Sequence, residues 1–143
     1  MRIQLKNYHL VTLIPFLRGM KLKGERSRAR SKFLALALEA YAALHESEVE
    51  LLKEYAVLDS DGDPKAAEDG SFSLKEDSAK EYLAEREKLF NEAAEIEGGT
   101  YAEHLTLMRQ ILAEYDEELD GENAAVYDAL YDALEEGANE HAG

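Results

Sequence analysis

A run of 32 residues without proline or glycine, from Glu25 to Ala56, constrains the fold more than any other feature of this chain. Ala, Leu, Glu and Lys dominate the run, and these residues have high helix propensity. A helix of this length extends about 48 Å at 1.5 Å per residue. Because most helical stability in proteins comes from tertiary packing, so long a helix needs a partner alongside it. The sequence therefore predicts a mainly α protein.

The natural partner is a second long helix from about Lys75 to Ala94, with Tyr82, Leu83, Leu89 and Phe90 as its apolar contacts. Turn residues cluster between the two helices, which predicts a small β-hairpin or ordered loop there. We expect a long helical hairpin or bundle with this small β-hairpin between the long helices, followed by a C-terminal helical pair.

The remaining elements are shorter. Ile3 and Leu5 alternate with polar residues and predict an initial strand, and a second short strand is an option at Ile96. Asn7 is expected to cap a helix that ends at Gly19. Proline inside this helix, at position 15, should kink or restart it, because proline lacks the backbone donor.

The C-terminal helical pair follows a glycine-rich junction. Thr100 and Glu103 form a capping-box pattern for a helix that runs to about Leu119. The last helix spans about 124–136. Within it, the repeated YDAL motif predicts that tyrosine stacks on tyrosine and leucine on leucine, with Asp128 and Asp132 on an outer face. Packing on the core and binding of a partner through exposed tyrosines both stay open for this helix.

At 143 residues the chain is long enough for one domain with a real core. We expect a single domain with three parts. Residues 1–95 hold a basic N-terminal helix and the long helical hairpin with its β turn. Residues 96–137 form an acidic helical pair packed on it, and residues 138–143 form a frayed tail.

Charge is segregated along the sequence. The whole chain carries -15, with 31 acidic against 16 basic residues, but residues 1–32 hold nine bases and one acid and carry +8. The rest of the chain carries -23. The basic segment can be attracted to acids within the fold or across an oligomer. The alternative is a site for phosphate or nucleic acid, which the acidic body would oppose.

The motifs of common catalytic and metal sites are absent from the sequence. There is no cysteine, no GxSxG, GxxxxGK[ST] or GxGxxG, and the four histidines are scattered. The stretch Asp59-Ser-Asp61-Gly-Asp63 resembles a calcium loop, but no frame supplies the first ligand, the glycine and the final glutamate together. We interpret it as a turn. The sequence therefore predicts a non-enzymatic protein with no catalytic residue, no metal ligand and no cofactor.

Three segments in order carry a family resemblance: residues 22–33 (LKGERSRARSKF), 51–64 (LLKEYAVLDSDGDP) and 81–85 (EYLAE). They resemble a family of small uncharacterised proteins encoded by tailed phages and prophages of Gram-positive bacteria, with an LKGxxSRAR box and an EYAxxDxDG turn. The resemblance covers residues 1–95. It implies a phage context and no particular activity.

Within the LKGxxSRAR box, Ser27 is expected to cap the long helix. Arg26 and Arg30 then share one face, and Arg28 and Lys32 share the next. Cations in the first turns oppose the helix dipole, which costs free energy unless acids lie nearby. We therefore expect these cations to dock on acids of this chain or of an acidic partner. The expected interaction residues of the basic box are Arg18, Lys21, Lys23, Arg26, Arg28, Arg30 and Lys32.

The leading functional prediction is a phage or prophage accessory protein that acts through protein–protein contact, with a phage or host protein as partner. A homo-oligomer is also open, and direct binding of nucleic acid is not favoured. The alternative is an acidic inhibitor of a host nucleic-acid-binding or defence protein, in which helical carboxylates stand in for phosphates. Its candidate residues are Glu114, Glu117, Glu118, Asp128, Asp132, Glu135 and Glu136.

The sequence has no pattern of a secretion signal, and its most apolar stretch, residues 10–17, is far shorter than the roughly 20 residues of a membrane span. We therefore expect no membrane association and a location in the cytoplasm of the host cell.

Overall fold

The computed structural model describes residues 1–98 and 103–142. Five helices and one two-stranded antiparallel sheet lie in these residues, so the mainly α prediction is confirmed. The elements in chain order are β1 (Arg2–Lys6), α1 (Asn7–Gly19), α2 (Gly24–Tyr55), α3 (Ala79–Asn91), β2 (Ala93–Glu97), α4 (Glu103–Ala113) and α5 (Gly121–Ala142). The predicted cap at Thr100 lies outside the described residues.

The long helix predicted from the uninterrupted run is α2, with 32 residues. It begins one residue earlier than the run, at Gly24, whose φ of +54° suits glycine. Ser27 therefore lies inside the first turn and is not the cap, and its amide donates to the Lys23 carbonyl. Ala29, Phe33 and Ala37 follow at four-residue spacing and are fully buried, so one face of the first half of α2 belongs to a core.

Helix α1 is one continuous helix through Pro15. The predicted restart is wrong. Pro15 lies on the exposed side of the helix, so the carbonyl that loses its partner one turn earlier stays on the side open to water. Asn7 is also not the cap: it is the first helical residue, and it is buried.

Contacts divide the chain into two compact units. Unit 1 consists of Met1–Tyr41 and Ala93–Gly143, and unit 2 consists of Ala42–Glu92. The sequence-based division at residue 95 and the single domain remain predictions.

Unit 1 is built on the sheet and on α5. Strands β1 and β2 pair with Ile3 opposite Ile96, so the two predicted short strands are confirmed and are partners of each other. Helix α5 packs on β1, on α1 and on α4. Leu130 and Leu134 of α5 are fully buried, so this helix is the centre of the unit.

Gly137 explains how α5 approaches the sheet. A Cβ at this position would lie 2.7 Å from the Arg2 carbonyl oxygen and 3.0 Å from Cγ2 of Ile3. The side chain of any other residue would collide with the strand backbone, which leaves glycine as the fitting residue. Helix α5 passes through Gly137 and continues to Ala142, so it ends later than the predicted end at residue 136.

In unit 2, the second half of α2 contacts α3 through Tyr55. The Tyr55 and Tyr82 rings lie 6.1 Å apart, and the Tyr55 hydroxyl donates to Glu81 at 3.2 Å. Helix α3 has 13 residues and no fully buried side chain, and its half-buried residues Tyr82, Glu85, Arg86, Leu89 and Phe90 recur at helical spacing. The second helix is therefore shorter than predicted, because residues 75–78 form a turn and residues 93–94 belong to β2.

The β element predicted between the helices consists of isolated bridges rather than regular strands. We call residues 56–74 the turn region. Its three antiparallel bridges are Ala56 with Leu74, Leu58 with Pro64, and Ala66 with Phe72. Residues paired in an antiparallel bridge place their side chains on the same face, and alternate residues of a strand share that face. The six bridge residues, all apolar, therefore share one face of the turn region.

Candidate interaction surfaces

The basic box is in part a structural device of unit 1. Arg30 donates to the carbonyl of Leu17 at 3.0 Å and to that of Met20 at 2.5 Å, and it reaches the hydroxyl of Ser27 at 3.3 Å. The last carbonyls of a helix have no partner within the helix. A cation there also faces the negative end of the helix dipole. Arg30 of α2 thus closes the C-terminus of α1.

Arg26 joins the basic box to the acidic segment. Its guanidinium lies 2.5 Å from the carboxylate of Glu114, which directly follows α4. This ion pair supports the expectation that cations of the box dock on acids of the same chain. The Arg26 side chain is about a third exposed and that of Glu114 nearly two thirds, so the net stabilisation from the pair is about 0–1 kcal/mol.

The ion pair lies in a cleft of about 310 Å³, which we call the Arg26 cleft. One wall is the α1–α2 connection and the other is the end of α4 with the segment after it. The cleft is lined by Gly19, Met20, Lys21, Leu22, Arg26, Ile111, Glu114, Tyr115, Asp116 and Glu117. Two residues of the predicted basic set and two of the predicted acidic set therefore meet here.

Four cations of the box face outward instead. Arg18, Lys21, Lys23 and Arg28 are exposed, and their side chains make no ion pair or hydrogen bond with any described residue. Lys32 is exposed as well, but it has a partner and does not belong to this group. The box thus divides into two arginines that hold unit 1 together and four cations that do not.

The predicted acidic set divides in a similar way. Helix α4 ends at Ala113, so Glu114, Glu117 and Glu118 follow the helix and do not lie on it. The prediction of helical carboxylates to Leu119 is wrong here. The run of acids from Asp116 to Glu118 would face the negative end of the α4 dipole, which disfavours continuation of the helix. These three carboxylates cannot form a row at helical spacing.

Glu135 has an internal partner. Arg109 of α4 donates to both of its carboxylate oxygens, at 2.8 and 2.9 Å. These hydrogen bonds lower the pKa of Glu135 below its ordinary value and raise the pKa of Arg109. The two-point contact fixes α4 on α5 within unit 1, and it removes Glu135 from the carboxylates available to a partner.

Three predicted acids do form an exposed helical row. Asp128, Asp132 and Glu136 are exposed on α5 at four-residue spacing, so successive carboxylates lie about one turn, 5.4 Å, apart along the axis. We call them the α5 carboxylate row. It is the part of the predicted acidic set that retains the helical spacing.

The tyrosines of the YDAL repeat stack as predicted. The rings of Tyr127 and Tyr131 are 6.1 Å apart at 29°, and Tyr127 also contacts Tyr115 and Phe16. The Tyr127 hydroxyl donates to the carbonyl of Leu112, near the end of α4. Burial raises the pKa of Tyr127 above its ordinary value of 10.0. Both tyrosines are half-buried, so this face of α5 serves packing in unit 1.

An apolar surface of unit 1 lies on α1. Tyr8 is 44% exposed and Val11 is 50% exposed, and Pro15 is exposed on the same face. We call these residues the α1 apolar face. Next to it lies a shallow depression of about 400 Å³ that Asp120 and Glu122 also line, and Thr12 donates to Glu122 at 3.5 Å. An apolar face with an acidic rim results.

The aspartates of the turn region hold a turn. The amides of Asp61 and Asp63 both donate to one carboxylate oxygen of Asp59, at 2.9 and 3.1 Å. The amide of Ser71 donates in the same way to Asp69. This geometry agrees with interpretation of the motif as a turn. Within residues 1–98 and 103–142, no three His, Asp or Glu side chains are grouped so that they could hold a metal ion.

Three contacts in the structure were not predicted from the sequence. The pairing of Arg109 with Glu135, the Tyr127 hydroxyl on the Leu112 carbonyl, and the role of Arg30 each join residues of different elements. Of these contacts, the sequence indicated only the one made by Arg109, which is the single base in the acidic segment. A lone guanidinium among acids predicts an ion pair, but it does not identify which acid is the partner.

A family model described as "Protein of unknown function (DUF1617)" matches residues 1–141. Neither the curated proteins nor the solved structures yield a match. A search of the described residues for a helix of the length and apolar character of a membrane span found none.

Proposed function

Since the chain belongs to the family described as "Protein of unknown function (DUF1617)", we propose that it is a phage or prophage accessory protein. It acts without catalysis, through protein–protein contact in the cytoplasm of the host cell. The phage context rests on the resemblance of the LKGxxSRAR box and the EYAxxDxDG turn. The α1 apolar face is the observation that carries the mode of action.

The α1 apolar face fits a protein partner for two reasons. Helix α1 already buries Leu10, Leu13 and Leu17 in the core of unit 1, so the exposed residues of the opposite face are not needed there. The neighbouring Asp120 and Glu122 add negative charge at the rim. A partner with an apolar surface bordered by Lys or Arg would bury the side chains and pair the carboxylates.

Site-specific photocrosslinking tests this proposal. A photoreactive phenylalanine analogue replaces Val11 in one variant and exposed Glu46 of α2 in a control variant. We expect a discrete crosslinked protein from position 11 and none from position 46 in phage-infected cells. That protein, once purified, should bind the wild-type chain and bind Val11→Glu at least about tenfold more weakly, because a charge would replace a buried apolar contact. Equal binding by Val11→Glu and wild type would refute the proposal for this face.

The α5 carboxylate row favours a second candidate, an acidic inhibitor of a host nucleic-acid-binding protein. Asp128, Asp132 and Glu136 present three negative charges on one helical face. The observed departure of Glu114, Glu117 and Glu118 from helical geometry shortens the row that the sequence suggested. The row supports this alternative with fewer groups than the original set of seven.

Salt and DNA competition separate the two candidates. An inhibitor that replaces a phosphate row binds a basic host protein, loses affinity steeply between 50 and 200 mM salt, and is displaced by DNA. Substitution of Asp128, Asp132 and Glu136 by their amides should then abolish binding. Binding through the α1 apolar face should change little with salt and survive these three substitutions.

A further inference from the structure

The outward cations of the basic box form a positive surface on an acidic protein. Arg30 and Arg26 bind the end of α1 and Glu114, so they hold the α1–α2 junction of unit 1 in place. The four cations Arg18, Lys21, Lys23 and Arg28 lie within eleven residues around that junction. We call them the junction cations. Because Lys23 and Arg28 lie near the N-terminus of α2, the helix dipole adds to the positive potential.

Unit 2 carries the opposite charge and an uncovered apolar face. It has 15 acidic and six basic residues, which gives -9 for residues 42–92. On the shared face of the turn region, Leu58 is 41% exposed and Phe72 is 45% exposed. The two tight turns that join the bridges carry Asp61 and Glu68, both exposed.

Unit 2 also has little core of its own. Of the 22 buried hydrophobic residues in the described part of the chain, only Leu44 and Ala56 belong to it. A unit of about 50 residues that buries so little apolar surface gains stability from any contact that covers its apolar face. The exposed Leu58 and Phe72 are the side chains that such a contact would cover.

We propose that the junction cations of one copy dock on the turn region of unit 2 in a second copy of this chain. The Lys and Arg side chains of the first copy pair with carboxylates of the two turns, including Asp61 and Glu68. Their alkyl stems cover Leu58 and Phe72, since long basic side chains bury apolar stems while the charge stays in water. The contact uses residues other than those of the α1 apolar face, so it goes beyond the function proposed above.

This contact joins two different surfaces and is therefore heterologous. A heterologous contact leaves one free surface of each kind on the complex, and it produces rings or open chains of copies. The mass of the assembly should accordingly rise with concentration rather than stop at a two-fold symmetric dimer, unless a ring closes.

Charge reversal with mixing tests the proposal on the purified full-length chain. The junction-reversed variant carries Lys21→Glu, Lys23→Glu and Arg28→Glu. The face-reversed variant carries Asp61→Lys and Glu68→Lys, and it spares Asp59 and Asp69, which hold the two turns. Sedimentation velocity and mass photometry measure the mass of wild type, of each variant, and of their equimolar mixture, with circular dichroism to show that each variant is folded.

We expect wild type to associate and each variant alone to stay monomeric at the same concentration. The concentration at which half of the chains are associated should be at least about tenfold higher for each variant than for wild type. The mixture should regain association, because each variant retains the surface that the other lacks. Phe72→Ser should weaken association of the otherwise wild-type chain. The control Leu83→Ser, at a side chain of unit 2 that is 61% exposed but lies on α3, should not.

Other outcomes overturn the proposal. At about millimolar concentration, even a contact with a binding free energy of only ~4 kcal/mol would form. If wild type is still monomeric at that concentration, the proposed contact does not exist. A lower melting temperature of the reversed variants without any change of mass would place the partner acids within one chain. If the wild type binds a short labelled DNA duplex and only the junction-reversed variant loses that binding, the junction cations serve nucleic acid instead.

Discussion

At the scale of single residues, Arg30 shows why a cation is found where a helix dipole disfavours it. It lies in the second turn of α2, a position where positive charge opposes the α2 dipole. Its guanidinium, however, reaches the carbonyls of Leu17 and Met20 at the negative end of α1. The stabilisation of α1 offsets the cost to α2, because hydrogen bonds from a charged donor contribute more than neutral ones.

Substitution of Arg30 by methionine keeps much of the apolar stem and removes the donors. We expect the free energy of unfolding to fall by about 1–3 kcal/mol, the cost of leaving partly buried carbonyls without a partner. The matched control is Arg28→Met, two residues earlier on α2 and exposed, which should change the free energy of unfolding by less than about 0.5 kcal/mol. Urea denaturation of dilute protein measures both. A loss at Arg28 equal to that at Arg30 would contradict the assigned role.

Gly137 and Gly19 provide a second matched pair of residues. Gly137→Ala would place a methyl group 2.7 Å from the Arg2 carbonyl oxygen, and the strand backbone cannot move away as a flexible side chain could. We expect destabilisation of about 1–3 kcal/mol, as for overpacked cores. Gly19→Ala meets nothing within 4 Å, so it should be neutral or stabilise by up to about 1 kcal/mol. Thermal unfolding of the two variants would distinguish them, and a neutral Gly137→Ala would show that α5 can shift away from β1.

At the scale of elements, the sequence was informative where a local pattern determined the structure. The run without proline or glycine predicted α2, and alternation around Ile3 predicted β1. Helix ends were less predictable. The last helix was expected to end at residue 136, but Gly137 is a packing contact inside α5, and the ends expected at Lys75 and Leu119 belong to a turn and to an acidic segment. Such helix ends depend on contacts with the neighbouring element, and these contacts cannot be predicted from local helix propensity.

The junction of α4 with α5 leads to a prediction about alkaline pH. Tyr127 donates its hydroxyl hydrogen to the Leu112 carbonyl, and burial raises its pKa above 10.0. A pKa raised by folding means that the protonated form stabilises the native state. This contribution is complete below pH 10 and is lost as the pH rises through the pKa of the folded state.

Tyr127→Phe should therefore lower the free energy of unfolding by about 0.5–1.5 kcal/mol at pH 7, as expected for one hydrogen bond. The decline in stability above pH 10 should be shallower in this variant than in wild type. Part of the decline should persist, because burial also raises the pKa of Tyr115. Urea unfolding at pH 7 to 11 measures both effects, and identical alkaline slopes for variant and wild type would contradict the assignment.

At the scale of the whole molecule, the sequence predicted the class of fold but not which segments meet. β1 and β2 pair although α1, α2 and α3 all lie between them in sequence, and α5 packs on β1 from the other end of the chain. The candidate surfaces likewise could be predicted only in part from the sequence. The charge pattern identified the basic box, but the division between Arg26 and Arg30 on one side and the junction cations on the other depends on such distant contacts.

The unequal cores of the two units lead to a prediction about local stability. Among the residues that the structure describes, 20 of the 22 buried hydrophobic ones lie in unit 1, including Leu105 and Leu112 of α4. The turn region has isolated bridges in place of continuous strands, so opening a single bridge exposes few apolar groups. We expect its amides to exchange with deuterium through local opening, at a free energy well below that of the amides of α4 and of residues 126–134. Hydrogen exchange followed by mass spectrometry measures this difference, at a concentration where the protein is a single copy. Protection of the turn region that matches α4 under these conditions would show that both units open together, and it would require a contact that covers Phe72 within one chain.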